Sequence, residues 1–377
     1  MVLLIGNYAL DRQQSMQRFG QMMLEGLTAA GVPAELIRPE PMFGNFQRAG
    51  AFVAKWLAYV DKFVLFPRQL RAKLRSSAPE LVHICDHSNA MYAGHCGGLP
   101  VVVTCHDFLA IRGGLGEETD TPASSTGRYL QRWIVSGLQK ATALACVSKA
   151  TLDDAERFVR QTNGRPELHL IPLGLSYPFR HLPRAEAEER LRGIPRLRLD
   201  QPFVLHVGSN LRRKNREAIL RIFARCQGEW QGQLVFVGEP LNDELLAQAQ
   251  QLGISDRIVQ VREASSEHLE ALYNCAGAFL FPSRFEGFGW PIIEAQACGC
   301  PVVCSSVAPM GEIAGSGALV REPADEEGFA HDLLQLLAPG AREHWSARAL
   351  ENAQRFTTAR MISEYRNLYR SLTPAAC

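Results

Sequence analysis

Two glutamates in the C-terminal half of the chain lie eight residues apart around a glycine-rich turn. Glu286 precedes Gly-Phe-Gly, and Glu294 follows Pro291, which is well placed for the first turn of a helix. Glycines let backbone N–H groups approach an anion, and the amino end of a helix adds a positive dipole. Carboxylates accept hydrogen bonds from sugar hydroxyl groups. The segment therefore suits a sugar diphosphate, although glycine-rich loops also join strands to helices in many α/β proteins.

A basic turn follows the apolar run Phe203–Val207. Its sequence from Gly208 to Asn215 is Gly-Ser-Asn-Leu-Arg-Arg-Lys-Asn, and apolar residues at helical spacing come after it. The pattern predicts a helix capped by Asn215. Three cations thus lie at one strand-to-helix turn, where they either neutralise a bound diphosphate or are simply solvated.

The two segments resemble the group 1 glycosyltransferases of family 4, which are retaining enzymes with the GT-B fold. The resemblance rests on the two glutamates around Gly-Phe-Gly, on Pro-Ser-Arg-Phe-Glu-Gly-Phe-Gly and on Glu-Ala-Gln-Ala-Cys-Gly-Cys-Pro-Val-Val. It implies that Glu286 contacts hydroxyl groups of the donor sugar and that Glu294 binds the nucleotide ribose. Trp290 departs from the family, where an aliphatic residue is commoner. The backbone amides implied to hold sugar and phosphate are those of Gly287, Phe288, Gly289 and Ile292.

The same resemblance assigns the basic turn to the donor diphosphate. Lys214 matches the family's lysine, and Arg213 or Arg212 could be its arginine, of which we favour Arg213. Because such cations stabilise the departing diphosphate, the family implies no metal ion. Further donor contacts are expected at Gly208 and, near the base, at Glu239 and Glu263.

The N-terminal half has fewer candidates for catalytic or ligand-binding residues. His106 follows the apolar run Val101–Cys105, and the resemblance implies that it contacts the donor sugar and supports the transition state. A histidine at the end of a strand is otherwise often structural. The loop after the first apolar run keeps one glycine where the family commonly has two. The acceptor contacts expected there and after the next strand are Gly6, Arg12, Gln14, Ser15 and His87.

Short apolar runs separated by amphipathic segments position all of these residues. Continuous apolar runs are typical of parallel strands buried on both faces, and their alternation with helices predicts an α/β fold. The runs are Val2–Ile5, Leu81–Cys85, Val101–Cys105, Ala143–Val147, Leu168–Ile171, Phe203–Val207, Leu234–Val237, Ile258–Val261, Ala278–Phe281 and Pro301–Cys304.

The fold expected from the runs and the resemblance is GT-B, with two Rossmann-like doubly wound domains facing a central cleft. Residues 1–180 form the acceptor-binding domain, onto which a helix over 356–373 packs back, and residues 200–355 form the nucleotide-sugar-binding domain. The segment 177–202, rich in Pro, Arg and Glu, is predicted to be the linker. Ligands of such sheets bind beyond the carboxyl ends of the strands.

Length and composition agree with a two-domain globular protein. The chain has 377 residues, and its formal net charge of +1 gives no overall attraction to nucleic acid. No apolar stretch approaches the roughly 18 residues of a membrane span, so a soluble, cytoplasmic protein is expected. Ten cysteines without a CxxC pair indicate reduced thiols. His83, Cys85 and His87 alternate as metal ligands can, but the family needs neither metal nor cofactor.

Residues 47–75 combine basic and aromatic side chains. Such stretches bind anionic membrane surfaces, here the inner face of the plasma membrane, unless their aromatic rings pack inward. The basic residues are Arg48, Lys55, Lys62, Arg68, Arg71, Lys73 and Arg75, against Asp61 alone, and the aromatic residues are Phe52, Trp56, Phe63 and Phe66.

The function expected from the sequence is retaining transfer of a sugar from a nucleotide-diphosphate sugar to a saccharide or lipid-linked acceptor, in the synthesis of envelope polysaccharide or glycolipid. A non-catalytic nucleotide-sugar-binding scaffold and a sugar-nucleotide epimerase are the alternatives. A dehydrogenase is disfavoured, because the glycine fingerprint after the first strand is incomplete.

Overall fold

The computed structural model describes residues 1–11, 13–44, 51–117, 119, 123–159 and 166–373, with the backbone alone for residues 51, 52, 54 and 55. The chain divides into two compact units. The first comprises Met1–Ser176 and the segment from Thr358 onward, and the second comprises Tyr177–Thr357.

The first unit is built on a six-stranded parallel sheet in the order β2-β1-β3-β4-β5-β6. Leu4 of β1 pairs with Leu36 of β2 on one side and with His83 of β3 on the other. The strands are β1 (Val2–Ile5), β2 (Ala34–Ile37), β3 (Leu81–Ile84), β4 (Val101–Cys105), β5 (Ala143–Cys146) and β6 (Glu167–Leu170). Its helices are α1 (Gln14–Ala29), α2 (Ala51–Val60), α3 (Phe66–Ser77), α4 (Leu109–Gly114), α5 (Ser125–Leu138), α6 (Lys149–Phe158) and, at the end of the chain, α15 (Thr358–Leu372).

A chain of buried hydrogen bonds joins α15 to this sheet. The hydroxyls of Tyr365 and Thr104 are 2.6 Å apart, and the Tyr369 hydroxyl lies 2.7 Å from Nδ1 of His83. Nε2 of His83 lies 2.8 Å from the Thr104 hydroxyl. Burial lowers the pKa of His83 to about 3, so its ring is neutral and both nitrogens serve this network. The ring therefore has no nitrogen left for the metal site considered with Cys85.

The second unit repeats the architecture with a six-stranded parallel sheet in the order β12-β11-β10-β7-β8-β9. Its strands are β7 (Val204–Gly208), β8 (Leu234–Gly238), β9 (Ile258–Val261), β10 (Ala278–Phe281), β11 (Val302–Ser305) and β12 (Ala318–Arg321). Its helices are α7 (Arg184–Leu191), α8 (Arg216–Arg225), α9 (Asp243–Gln251), α10 (Ser266–Cys275), α11 (Trp290–Ala297), α12 (Met310–Ala314), α13 (Glu326–Leu337) and α14 (Ala341–Ala353).

The segment 177–202, predicted as a linker, lies within the second unit. It contains α7, whose Ala187 and Leu191 are buried. Arg190 of α7 donates to Glu270 of α10 at 2.8 Å, and the backbone N–H of Arg180 donates to the same carboxylate at 2.9 Å. The segment is therefore a packed part of the second unit, tied to α10 by the Arg190–Glu270 ion pair.

The ten predicted runs match strands to within one residue at either end. Two further strands, β2 and β12, lie at sheet edges and were missed. Each is four residues long and carries a charged residue, Glu35 or Arg321, so neither has the continuous apolar run of a buried strand. None of the helices in the described part of the chain is long and apolar enough to cross a bilayer.

Candidate functional site

The candidate site of the second unit lies where β10, β7 and β8 end side by side. These strands are neighbours in the sheet, and they end at Phe281, Gly208 and Gly238. Because the strands are parallel, the loops that follow them meet at one edge of the sheet. The predicted glutamate loop and the predicted basic turn are two of these loops.

Glu286 is held there by the two cations of the basic turn. Nζ of Lys214 donates to Oε1 of Glu286 at 2.7 Å, and Nη1 of Arg213 donates to Oε2 at 2.8 Å. The ammonium of Lys214 also lies 5.0 Å from the ring centre of Phe281. Arg212 is exposed. The structure therefore places Arg213, and not Arg212, beside Lys214 on the glutamate.

The buried Glu286 and Lys214 and the half-buried Arg213 form a cluster with one positive charge in excess. Glu286 is 7% and Lys214 8% exposed. Burial lowers the pKa of Lys214, and the Glu286 carboxylate opposes this effect. Burial would raise the pKa of Glu286, but Lys214 and Arg213 hold it below its usual value. The carboxylate is thus ionised, and the cluster is suited to an anion that carries hydroxyl groups nearby.

Glu294 lies in α11, on the other side of the glycine turn. It is buried, and the hydroxyl of Tyr273 donates to its Oε2 at 3.1 Å. Gly289 precedes α11 with φ of 102°, a conformation that favours glycine. Pro291 occupies the first turn, as predicted.

The remaining residues of the glycine turn differ in what they offer a ligand. The side chains of Phe288 and Ile292 are buried, so the donor contacts predicted for them would have to come from the backbone. The N–H of Ile292 already donates to the carbonyl of Gly289 at 2.9 Å. This amide closes the first turn of α11, a geometry that the residue types alone do not reveal. Gly287 follows Glu286 directly and lies half-buried.

Arg216 is a member of this site that the sequence analysis missed. It is buried, and its guanidinium donates to the carbonyls of Gly208 at 2.6 Å and Glu239 at 2.7 Å, and to Oδ1 of Asn210 at 2.7 Å. Burial lowers its pKa to about 10, which leaves the side chain charged. Arg216 therefore braces the loops after β7 and β8. The sequence did indicate that Arg216 is unusual. It is the first residue of the helix, where the positive end of the helix dipole disfavours a cation, so it needs a specific partner.

Asn215 precedes α8, but its side chain does not act as the predicted helix cap. Its backbone is left-handed, with φ of 57°, whereas an N-cap residue is normally extended. Its Nδ2 donates instead to the carbonyl of Pro282 at 3.0 Å. The residue thereby ties the basic turn to the loop that carries Glu286.

Glu239 and Glu263 lie at increasing distance from the Glu286 cluster along the sheet. Glu239 is exposed after β8, and its Oε2 accepts the N–H of Asn210 at 2.9 Å. Glu263 is exposed after β9, which β7 and β8 separate from β10. The structure thus brings Glu239 to the loops of the site but leaves Glu263 at the edge of the sheet.

In the first unit, His106 directly follows β4 and is a buried, neutral histidine. Its Nε2 lies 2.9 Å from the carbonyl oxygen of Cys85, and the ring of Phe19 meets it edge-on at 4.8 Å. Burial lowers its pKa, an effect that nearby carboxylates only partly offset. His87 follows β3, which is adjacent to β4, so the structure places the two histidines on neighbouring strands.

The other predicted acceptor residues lie around the end of β1. The N–H of Gly6 donates to the carbonyl of Ile37 at 2.9 Å and so belongs to the sheet. Gln14 and Ser15 are exposed in the first turn of α1. Arg12 lies outside the described residues.

Two family models match successive parts of the chain. The model of Glycosyltransferase Family 4 matches residues 16–176, and that of the glycosyl transferases group 1 matches residues 187–352. The chain belongs to the group 1 glycosyltransferases. The second match contains the Glu286 cluster, and the first contains both histidines at the strand ends.

Relatives in this glycosyltransferase family carry several names. The O-antigen chain mannosyltransferase B of Escherichia coli is 29% identical over 251 residues, which are 65% of this chain and 65% of that protein. The D-inositol 3-phosphate glycosyltransferase of Mycobacterium sp. (strain KMS) is 28% identical over 398 residues, covering 96% of this chain and 86% of that protein. The chain thus spans slightly less than two thirds of the mannosyltransferase.

Solved structures confirm the predicted GT-B fold with its two Rossmann-like domains. Sucrose-phosphate synthase from Thermosynechococcus elongatus superposes with a TM-score of 0.75 at 21% identity, covering 99% of both chains. HepE of Anabaena, solved with UDP and glucose, gives a TM-score of 0.71 at 16% identity over 98% of this chain and 99% of that one.

A glycine at the end of β8 fixes the approach of two loops of the site. Gly238 has φ of 110°, and a β-carbon there would lie 2.5 Å from the carbonyl oxygen of Gly208, the atom that Arg216 binds. We expect Gly238→Ala to lower the free energy of unfolding by about 2–4 kcal/mol, through backbone strain and this clash. Gly253→Ala is the matched control, because Gly253 has φ of 68° and open space. It should cost about 1 kcal/mol.

Urea unfolding of the two glycine variants measures this difference. Equal losses of stability would contradict a close contact between the loops after β7 and β8.

Proposed function

We propose that this chain transfers a sugar from a nucleotide-diphosphate sugar to a hydroxyl group of a saccharide or lipid-linked acceptor. The cluster of the buried Lys214 and Glu286 with the half-buried Arg213 carries the proposal. Buried charges cost several kcal/mol unless they are paired, and such arrangements are concentrated at functional sites. Here a carboxylate able to bind sugar hydroxyls lies within 2.8 Å of two cations able to bind a diphosphate.

In the proposed reaction, the bond between the sugar C1 and the diphosphate oxygen breaks while the acceptor oxygen bonds to C1. Lys214 and Arg213 stabilise the negative charge that develops on the departing diphosphate. Glu286 holds donor-sugar hydroxyls, and Glu294, fixed by Tyr273, binds the ribose. The acceptor's proton passes to the leaving diphosphate on the same face of the sugar, so the anomeric configuration is retained. The contact of His106 with the donor sugar remains a prediction from the family resemblance.

The proposal includes no metal ion and no cofactor beyond the nucleotide sugar, because the excess positive charge of Lys214 and Arg213 over Glu286 stabilises the leaving diphosphate. A role in envelope polysaccharide or glycolipid synthesis is supported by the name of the O-antigen chain mannosyltransferase. Its mannosyl transfer and the UDP and glucose bound to HepE guide the choice of donors to be tried.

The test incubates the full chain with UDP-glucose, GDP-mannose and ADP-glucose in EDTA, with and without a mixture of lipid-linked and free saccharides. Release of free nucleoside diphosphate that depends on the acceptor is the expected result. Binding without release would favour the scaffold, and conversion of the donor sugar without an acceptor would favour the epimerase. NMR of the product reports its anomeric configuration.

We also propose that the face formed by α2, α3 and the intervening π-helical turn Asp61–Leu65 contacts an anionic membrane surface. Trp56 is 52% exposed on this face. Its ring starts a ladder of aromatic contacts through Tyr59 and Phe63 to Trp133 of α5, with ring centres 5.1–5.7 Å apart.

The charges of this face are predominantly positive at the surface. Its one acidic residue, Asp61, is buried and accepts hydrogen bonds from the Tyr8 hydroxyl at 2.8 Å and from the N–H of Gly44 at 2.9 Å. Lys62 and Lys73 pair with acidic neighbours at 2.6 and 2.5 Å, while Arg68, Arg71 and Arg75 are exposed.

Some of the residues predicted between 47 and 75 are not part of this exposed face. Phe66 is buried against Tyr92 at 4.8 Å between ring centres, so this ring packs inward. Arg48 and the side chains of Phe52 and Lys55 lie outside what the structure describes.

Replacing both Arg68 and Arg75 by Glu should weaken binding to phosphatidylglycerol vesicles about tenfold or more, because each basic residue near such a surface contributes about 1 kcal/mol. Trp56→Ser should also weaken it, whereas Leu246→Ser, at an exposed leucine of the second unit, should have no effect. Co-sedimentation at low and high salt provides the measurement. Equal binding to phosphatidylcholine and phosphatidylglycerol vesicles, or to neither, would contradict the membrane contact.

A further inference from the structure

A cavity of about 380 Å³ lies in the second unit where three elements meet. These are the amino end of α8, the loop after β10 and the amino end of α13. Sites for small molecules typically measure about 300–1,000 Å³, so the cavity has room for a small organic ligand. Its lining includes Asn215, Arg221, Arg284, Pro323, Ala324 and Glu326.

The cavity is distinct from the charged cluster of the candidate site, although it borders the same two loops. Lys214 and Glu286 do not line it. Asn215 of the basic turn and Arg284 of the glutamate loop do line it. Nδ2 of Asn215 and the N–H of Arg284 each donate to a backbone carbonyl of the other loop, at 3.0 and 2.7 Å. A ligand in the cavity would therefore contact residues that hold the two loops together, without using the cations of the cluster.

Two arginines give the lining an excess of positive charge. Arg221 donates to Oε1 of Glu326 at 2.8 Å from Nε and at 2.6 Å from Nη2. This ion pair neutralises Glu326 and fixes the guanidinium of Arg221. Arg284 is exposed, and its guanidinium has no hydrogen bond or ion pair within the described part of the chain. The one charge in excess is thus carried by a side chain that is available to a ligand.

Both helices at the cavity begin there. α8 starts directly after Asn215, and α13 starts after Asp325, which Ala324 and Glu326 flank. The side chain of Asp325 accepts one N–H of the first turn of α13, that of Gly328, at 2.9 Å. The other N–H groups of a first turn have no partner within their own helix. These groups, together with the positive end of each helix dipole, favour an anion in the cavity.

Asn215 adds a requirement for a hydrogen-bond donor on the ligand. The residue is 3% exposed, and its Oδ1 has no hydrogen-bond partner among the described residues. A buried acceptor left unpaired is destabilising, because it has lost its contact with water. A hydroxyl group of the ligand can donate to it.

A phosphate group suits this arrangement better than a carboxylate does. Donors reach the cavity from three different elements, and the oxygens of a phosphate point in different directions, whereas the two oxygens of a carboxylate lie in one plane. We propose that this cavity binds a small phosphate monoester that carries a hydroxyl group, with the phosphate on Arg284 and Arg221 and the hydroxyl on Oδ1 of Asn215. This site is independent of the proposed sugar transfer.

Saturation-transfer NMR on the full chain tests the site with glycerol 3-phosphate as the probe. Glycerol, which lacks the phosphate, and glycerate, a carboxylate of similar size, are the comparison ligands. Glycerol 3-phosphate should bind wild type more tightly than either. Arg284→Gln should weaken its binding about tenfold or more, as expected for a lost hydrogen bond between charged groups. Arg192→Gln, at an exposed arginine of the same unit outside the lining, is the matched control and should bind as wild type does.

Two further variants separate this site from the donor site. Ala324→Trp places a bulky side chain at an exposed position of the lining and should abolish binding of the probe, whereas Ala247→Trp, at an exposed alanine of α9, should not. Lys214→Ala should leave binding of the probe unchanged, because Lys214 is not part of the lining.

Four results would overturn the site. They are no binding of glycerol 3-phosphate to wild type, binding of glycerol or glycerate that is at least as tight, binding that survives either Arg284→Gln or Ala324→Trp, and loss of binding in a folded Lys214→Ala chain. The last of these would assign the probe to the donor site.

Discussion

Lys214→Ala is expected to lower the rate of sugar transfer by about 10²–10³-fold, the size of effect seen when one donor to a developing anion is removed. The ammonium is buried and lies 2.7 Å from Glu286, so solvent cannot replace its charge. Nucleoside diphosphate affinity should fall with the rate, because the same charge holds the diphosphate before and during its departure. Initial rates of nucleoside diphosphate release measure the first effect, and calorimetry measures the second.

Arg212→Ala is the matched control, because it removes an exposed cation two residues away. It should change the rate no more than about twofold, since exposed charges interact weakly in water. Lys214→Arg keeps the charge while changing its geometry, and it should retain part of the activity. If Lys214→Ala and Arg212→Ala behave alike while both remain folded, the ion cluster does not hold the diphosphate.

Glu286→Gln is expected to separate binding of the nucleotide from transfer of the sugar. The substitution keeps the shape of the side chain but removes its charge, which raises the excess positive charge of the cluster from one to two. Nucleoside diphosphate should therefore bind at least as tightly as it does to wild type. Transfer should fall about 10²–10³-fold, because the carboxylate that holds the sugar hydroxyls in the transition state is lost.

The comparison for this variant is Glu312→Gln, an exposed glutamate at the start of α12 in the same unit. This variant should leave both the nucleoside diphosphate affinity and the rate of sugar transfer unchanged. Parallel losses of binding and transfer in Glu286→Gln would mean that Glu286 only holds the cations in place. Unchanged transfer would mean that it does not touch the donor. Thermal unfolding of each variant checks that Lys214 and Arg213, left without their carboxylate, have not unfolded the unit.

The parts of this fold that the sequence predicted are those governed by local patterns. Most of the strands are continuous apolar runs, so ten of the twelve described strands were located to within one residue. Of the four strands at sheet edges, β2 and β12 were not predicted, because a charged residue, Glu35 or Arg321, leaves neither with an uninterrupted apolar run of four residues. Helix α7 was also not predicted, because most of its residues are charged and only Ala187 and Leu191 are buried.

The residues of the candidate site also divide into those that the sequence predicted and those that it did not. Glu286, Lys214 and Arg213 were found because their types and spacing match a family pattern. Arg216 was not, because its place at the start of a helix indicates only that it needs a partner, while the three acceptors that two loops bring to it are evident only in the folded chain. The prediction that Asn215 caps α8 was wrong. Its backbone is left-handed, and the residue types around it do not predict that conformation.

The most direct test of the central claim is a calorimetric titration of the wild-type chain with UDP, GDP, ADP and TDP in EDTA, repeated with Lys214→Ala. We predict saturable binding of at least one nucleotide, weakened by salt because its phosphates meet the cations of the cluster, and lost in the variant. A folded wild-type chain that binds none of the four, or that binds one equally well without Lys214, would contradict the account.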